Sequence, residues 1–352
     1  MKNKVLLIIL DGFGEGKDYD GNAITRARTS TLPMLREKYP LTFLKASGHA
    51  VGVPENTQGG SEVGHFTIGA GRQVFQTLEA INQEIASGAF FKNPILNKAL
   101  DEHKKKNNAT LHLVGLVSDQ GVHADLRHLV ALLKLAKDKG VTNIAIHAIT
   151  DGRDVPMKSA KKYIDQVEDA ISDLGISKTA RIATIIGRYY AMDRDSNWDR
   201  LQIAFDLYVE GKGEKENDPD SAIDHAYERG AESDYYIGPM VLDDAKITST
   251  DTVICFNFRT DRVRQLTSAF TGEHADTLKL SQPIETRPRP QYICFGDYSA
   301  VAPVVYHTPI VKNNLATVIS NAKMKQFKIG ETEKYAHVTY FFNSQIEAPV
   351  EG

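Results

Sequence analysis

An α/β fold with a largely parallel sheet is predicted for this chain by three features. Short apolar runs alternate with amphipathic stretches of helical length, the pattern of an α/β domain. The apolar runs are continuous rather than alternating, as in strands buried on both faces. Several of them end in clusters of Gly, Asp and Arg, the composition of loops beyond strand ends. At 352 residues the chain is long enough for two domains with an ample core.

In order along the chain, residues 5–10 read as a buried strand that ends at Asp11-Gly12. Residues 22–29 read as a polar loop or short helix, 32–39 as a helix, and 42–46 as a short strand. A loop rich in Gly, Pro and Asn over 48–60 delivers Ser61, and 63–68 reads as helical until Gly69-Ala70-Gly71 breaks it. Helices are expected over 76–87 and 93–106. Strands and helices then alternate: strand 109–117, helix 126–139, strand 144–148, helix 159–174, strand 180–186, helix 198–210. Helix 220–229, strand 252–257 with a helix after it, and strand 291–295 follow. The proline-bearing stretch 273–290 is a connection. A helix over 314–322 and strands over 326–329 and 338–342 close the reading.

The stretch Gln58-Gly59-Gly60-Ser61-Glu62-Val63-Gly64-His65 draws attention first. A serine after two glycines at a helix start suits an N-cap. It equally suits a nucleophile, because a helix N-terminus favours negative charge and binds phosphate. Local sequence leaves both open. Asp11 stands beyond a strand's carboxyl end, where α/β proteins place functional groups, although an Asp-Gly pair is also a plain turn. Successive strand ends carry His123, then Arg153 with Asp154, then Arg188 and Arg194, then Arg259 and Arg262. Any one arginine is ordinarily a surface ion pair. As a set along one sheet edge they predict an anion clamp, because guanidinium groups bind phosphate and carboxylate bidentately.

Other function classes find little support. A net charge of −3 with no aromatic-interleaved basic patch gives no reason to expect nucleic acid as a partner. No apolar stretch is long enough to span a membrane, and the apolar run near the N-terminus is too short and lacks a signal-peptide cleavage site. A cytoplasmic location and no membrane partner are therefore expected. The two cysteines, Cys255 and Cys294, sit in strand-like runs and read as buried free thiols. No dinucleotide-binding glycine fingerprint and no Walker A sequence occur. His123, Asp125 and His128 invite a metal reading, but two histidines five apart do not align on one helix face.

Taken together, Asp11, G-S-E-V-G-H around Ser61, V-H at His123, D-G-R-D at 151–154, G-R-Y-Y-A-M-D-R-D from Gly187, N-F-R-T-D-R from Asn257 and E-T-E-K-Y-A-H-V from Glu331 resemble cofactor-independent phosphoglycerate mutases, of the alkaline phosphatase superfamily. The motifs lie in family order over nearly the whole chain. The resemblance implies an alkaline-phosphatase-like domain, incomplete here, built from 1–73 and 309–352, with an α/β phosphotransferase domain inserted over 74–308. It implies interconversion of 3-phosphoglycerate and 2-phosphoglycerate through a phosphoserine on Ser61. It implies two divalent metal ions, manganese or magnesium, with Asp11 and Ser61 among their ligands, and no need for 2,3-bisphosphoglycerate. It implies that His123, Arg153, Asp154, Arg188, Arg194, Arg259, Arg262 and Lys334 hold the small-molecule substrate, and that the full-length form is a monomer. A related metal-dependent phosphatase or phosphomutase, or a phosphate-binding fragment without catalysis, would share many of these residues.

The chain departs from the family pattern twice. Gly60 stands where family members commonly have asparagine before the serine. Beyond Lys334 nothing matches the Asp-x-x-x-His pair, the Asp-His pair and the later histidine that complete the family's metal sites. The expectation from sequence is an amino-terminal portion that binds metal weakly and turns over negligibly alone.

Overall fold

The computed structural model describes residues 4–352. The chain divides into two compact units: one comprises Met1–Gln76 with Pro309–Gly352, the other Thr77–Thr308.

The Thr77–Thr308 unit is built on a seven-stranded sheet. Its strands are β1 (Leu111–Leu116), β2 (Ile144–Thr150), β3 (Ala180–Gly187), β4 (Glu214–Lys215), β5 (Met240–Val241), β6 (Thr252–Cys255) and β7 (Gln291–Cys294). Their spatial order is β4-β5-β3-β2-β1-β6-β7, and every pairing is parallel except β3 with β5. All residues of β1 and β2 are buried, which explains why these strands read as continuous, mainly apolar runs interrupted only by His112, His147 and the terminal Thr150. The helices Leu126–Asp138, Ala160–Asp173 and Trp198–Glu210 lie close to their expected positions. Asp125 caps the first of them by accepting from the Arg127 N–H, and Gly211 in the left-handed region ends the third. Leu129, Leu133, Ile164, Val167, Ala204 and Phe205 from these helices are essentially inaccessible. Each such aliphatic or aromatic side chain stabilises the fold by roughly 1.5–3 kcal/mol relative to exposure. The two-residue strands β4 and β5 carry no periodic signal, and sequence reading misses both.

The topology determines where a ligand can sit. From β1 the chain steps outward to β2 and β3, then returns to place β6 and β7 on the other side of β1. The crevice beyond the carboxyl ends of β1 and β6 is the point where that order reverses, the usual ligand position in an open α/β sheet. Two hydrogen bonds lock the loops together there: the Phe258 and Arg259 N–H groups both donate to the His123 carbonyl, at 2.9 and 3.2 Å.

The other unit departs from expectation. Its main element is the helix Ser61–Ala70, with shorter helices at Thr31–Lys38 and Leu315–Asn321. The expected strands over 5–10, 42–46 and 326–329 do not form, and among the described residues this unit has no strand. Val5, Leu44 and Phe327 are each more than 80% exposed. An apolar run becomes a strand only when neighbouring strands take up its N–H and C=O groups, and no described segment of this unit does so. The 338–342 run is a π-helical turn, His337–Phe341, rather than a strand. Packing decides it: the turn lies against Ser61–Ala70, where Gly69 approaches so closely that a Cβ would stand 1.9 Å from the Phe342 carbonyl oxygen. Ser61 is the first helical residue and not the N-cap, which is Gly60 with no side chain to contribute.

Candidate functional site

Two constellations of sequence-predicted residues emerge, one in each unit. The first is centred on Ser61. A turn closed by the Phe13 N–H on the Leu10 carbonyl, with Gly12 at φ +78°, presents the Asp11 carboxylate. The Asp-Gly turn and the candidate carboxylate are thus the same feature. Ser61 Oγ donates to Asp11 Oδ2 at 2.5 Å. Lys334 Nζ pairs with the same oxygen at 2.6 Å and reaches Ser61 Oγ at 3.3 Å. The lysine's hydrogen bond, then that of Ser61, hold the Asp11 carboxyl down at about 2, so it is anionic throughout the physiological range. Asp11 in turn raises Lys334 and keeps it an ammonium. His65, one helical turn on from Ser61, has Nδ1 2.8 Å from the Ser61 carbonyl oxygen. A carbonyl only accepts, so Nδ1 carries the proton.

This arrangement suits an oxygen nucleophile that becomes negatively charged or phosphorylated. The first N–H groups of the helix Ser61–Ala70 are free of intrahelical partners, and the ammonium of Lys334 lies against the hydroxyl. Asp11 orients the Ser61 hydroxyl but is a weak base, because a carboxylate held near 2 resists protonation.

Asp11 and Ser61 offer two hard oxygen donors side by side, which suits one edge of a divalent-cation site. Among the described residues, however, no three His, Cys, Asp or Glu side chains cluster to hold an ion. The donor set is too small to make a metal site by itself, and Lys334 occupies the carboxylate.

The second constellation lies at the sheet's carboxyl edge in the Thr77–Thr308 unit. His123 follows β1, Arg153 and Asp154 follow β2, Arg188 and Arg194 follow β3, and Arg259 and Arg262 follow β6. The structure brings them into one electrostatic neighbourhood. Arg188 Nη1 bridges Asp151 Oδ1 at 2.5 Å and Asp154 Oδ2 at 2.6 Å. His123 lies between two carboxylates, with Nε2 3.9 Å from Asp154 and Nδ1 3.6 Å from Asp261. Asp261 also pairs with Arg194 at 2.7 Å and Arg259 Nε at 3.2 Å. Arg262 is buried and donates to the Met192 carbonyl. Burial lowers its pKa, as do the charges of Arg194, Arg188 and Arg153, so these three guanidinium groups act on it at close range. Burial, then the field of Arg188, brings His123 down to about 4 and leaves it neutral at pH 7. Five arginines against the three carboxylates of Asp151, Asp154 and Asp261 leave a surplus of positive charge here, which suits an oxyanion.

Lys334 is placed with Asp11 and Ser61, not with the arginines. Arg188 is buried and engaged by two acids, whereas Arg153, Arg194 and Arg259 are exposed. Sequence reasoning missed Asp151 and Asp261. The first lies in D-G-R-D and the second in N-F-R-T-D-R, but acids beside arginines in a loop give no signal that they organise them. His123, Asp125 and His128 do not form a group: Asp125 is the helix cap, and His128 is packed against Phe258 and Phe295.

A family model described as "BPG-independent PGAM N-terminus" matches residues 81–300. The 2,3-bisphosphoglycerate-independent phosphoglycerate mutase of Clostridium kluyveri is 45% identical over 360 residues, covering 99% of this chain and 68% of that protein. The protein named 2,3-bisphosphoglycerate-independent phosphoglycerate mutase 1 in Methanosarcina barkeri is also 45% identical over 360 residues, covering 100% of this chain and 68% of its own length. Among solved structures, the Leishmania mexicana phosphoglycerate mutase crystallised at low cobalt concentration matches with a TM-score of 0.69 and 28% identity, over 97% of this chain and 64% of that one. The chain thus spans about two thirds of the length of these relatives.

Proposed function

This chain belongs to the 2,3-bisphosphoglycerate-independent phosphoglycerate mutases, and from that premise we propose that Ser61 carries the phosphoryl group in the interconversion of 3-phosphoglycerate and 2-phosphoglycerate. The observation that carries this reading is the contact of Ser61 Oγ with Asp11 at 2.5 Å and Lys334 at 3.3 Å. In the first step Ser61 Oγ bonds to phosphorus and the bond from phosphorus to the glycerate oxygen breaks. The Ser61 hydroxyl proton passes to water and the departing glycerate oxygen takes a proton from water, so protons balance. Lys334 and the helix N-terminus stabilise the negative charge that develops around the oxygens. The second step reverses the first at the other hydroxyl.

In this reading Arg153, Arg188, Arg194, Arg259 and Arg262 bind the substrate's anionic groups. Asp154 and His123 supply hydrogen-bonding groups for its hydroxyls. Divalent metal ions, manganese or magnesium, are assigned to Asp11 and Ser61 by the family resemblance, with further ligands needed beyond these two. A monomer acting in the cytoplasm on a diffusible metabolite is the simplest accompanying picture. No helix among the described residues is long and apolar enough to cross a membrane.

A second reading, substrate binding without turnover, is favoured by the small metal-donor set among the described residues. One experiment separates the two. The protein is incubated with phosphorus-labelled 3-phosphoglycerate and manganese, and the label is located by peptide mass spectrometry. Label on Ser61, absent in Ser61→Ala, supports transfer. Calorimetric binding with an unlabelled Ser61 supports binding alone. Neither binding nor label overturns both.

A further inference from the structure

We propose that Asp261 is a positioning residue that holds Arg194 and Arg259 ready for an anion; the proposal rests on the reading that the arginine cluster binds phosphoglycerate. Asp261 Oδ2 accepts from Arg194 Nη1 at 2.7 Å, and Oδ1 lies 3.2 Å from Arg259 Nε. The two arginines come from loops 65 residues apart, one after β3 and one after β6, and this carboxylate ties their side chains together. Both arginines are close to half exposed, with side-chain exposures of 44% and 48%. Long side chains at that exposure sample many rotamers unless something holds them.

The way Asp261 holds each guanidinium matters. Arg259 is engaged through Nε, which leaves its two terminal amino groups, one complete bidentate edge, for a ligand. Arg194 is engaged through Nη1, which leaves the edge formed by Nε and Nη2. One carboxylate thus orients the Arg194 fork by a directed hydrogen bond and draws in Arg259 as an ion pair, leaving a phosphate- or carboxylate-binding edge on each. Oδ1 itself is buried and has no well-directed hydrogen bond, and the buried His123 Nδ1 facing it at 3.6 Å has none either. Spare acceptor capacity therefore remains at the junction of β1, β3 and β6, at the sheet's reversal point. Asp154 does not duplicate this role, because it is engaged by the buried Arg188.

Ordering a rotamer-rich side chain at the moment of binding weakens affinity severalfold, and two of them by about tenfold. The test uses calorimetry with 3-phosphoglycerate on the intact chain, on Asp261→Asn, Asp261→Glu and Arg194→Ala, and on the Arg194→Ala/Asp261→Asn double variant. Side-chain nitrogen spectra of the arginine guanidinium groups are recorded without ligand. Asp261→Asn is expected to bind about tenfold more weakly, Asp261→Glu to recover much of the loss, and the Asn effect to shrink below threefold once Arg194 is absent. The guanidinium groups of Arg194 and Arg259 are expected to rotate slowly in the unmodified protein and freely in Asp261→Asn. A parent chain that does not bind 3-phosphoglycerate overturns the substrate reading, and the ligand-free spectra still decide the role of Asp261. Unchanged guanidinium mobility overturns the proposal, as does equal affinity in Asp261→Asn or a loss that persists in full without Arg194. If Asp261→Asn does not fold, Asp261→Glu carries the spectral comparison, with an intermediate mobility expected.

Discussion

Arg188 Nη1 lies 2.5 Å from Asp151 Oδ1, and both side chains are 1% exposed. The same nitrogen takes Asp154 Oδ2 at 2.6 Å, while Asp151 accepts from the Arg153 and Asp154 N–H groups and so shapes its own loop. The arginine therefore joins the ends of β2 and β3 as well as contributing charge to the site. Removing one member of a buried pair leaves an uncompensated charge, a loss on the order of 3–5 kcal/mol. Arg188→Met should lower the stability of the Thr77–Thr308 unit by about that much, measured by urea unfolding. A loss below about 1 kcal/mol would show that the pair is solvated.

The same unit should weaken on acidification, because of its buried histidines. Burial holds His128 and His123 down to about 4, and it lowers His112, His147 and His103 as well. The unfolded chain takes up these protons near pH 6.5 while the folded chain refuses them, so stability falls as pH drops from about 6.5 toward 4. Each such histidine steepens the dependence by up to about 1.4 kcal/mol per pH unit in that window. Asp251, held at about 2, despite burial, by the nearby His112 and by hydrogen bonds from the Thr110 and Thr248 N–H groups, acts only at lower pH. Chemical unfolding at pH 7, 6 and 5 checks the slope, and His128→Gln should flatten it by about one proton.

Lys334 is expected to matter more for chemistry than for folding. Its side chain is one-third exposed, yet it touches both Asp11 and Ser61. Lys334→Met should reduce phosphoserine formation by roughly a hundredfold, the usual cost of losing one charge-stabilising donor. The melting temperature should change little. It should also let the Asp11 carboxyl rise from about 2, since its largest lowering contact is gone. Carboxyl titration by NMR reads that shift directly.

Gly60 precedes the serine with φ −138°, ordinary extended backbone, and a Cβ added there meets nothing within 4 Å. Gly60→Asn should therefore fold normally. It supplies the missing N-cap acceptor and should stabilise the helix by a few tenths of a kcal/mol. Phosphorylation of Ser61 should persist in this variant. A large destabilisation would show that the loop needs glycine's freedom.

Gly152 is the opposite case. It has φ +60°, and a Cβ there would lie 2.7 Å from the Tyr235 backbone nitrogen. Gly152→Ala meets both strain and a clash, so a loss above about 1 kcal/mol is expected, with weaker anion binding as the loop of Arg153 shifts. Thermal melting and phosphate titration of the same sample test both.

Much of the Thr77–Thr308 unit is legible in the sequence, because β1, β2 and β6 are buried along their whole length and the helices Leu126–Asp138 and Ala160–Asp173 have clear apolar faces. Helix Trp198–Glu210 lies at its expected bounds, while β4 and β5 are too short to leave a pattern. The positions of Ser61, Asp11 and the arginines were visible as motifs. Asp151 and Asp261 were not, because an acid's choice of partner depends on loops that meet only after folding.

By itself, the sequence determined the α/β character of the chain, the family it resembles and the side chains that can do chemistry, since these follow from local period and residue type. Tertiary structure alone decided the rest. It made residues 338–342 a π-helical turn packed on Ser61–Ala70, left 5–10 without strand partners, and placed Lys334 beside Asp11 across more than three hundred residues of sequence. Ladder pairing, close packing and ion pairing all join segments distant in the chain, and their energies depend on separations that no local pattern encodes.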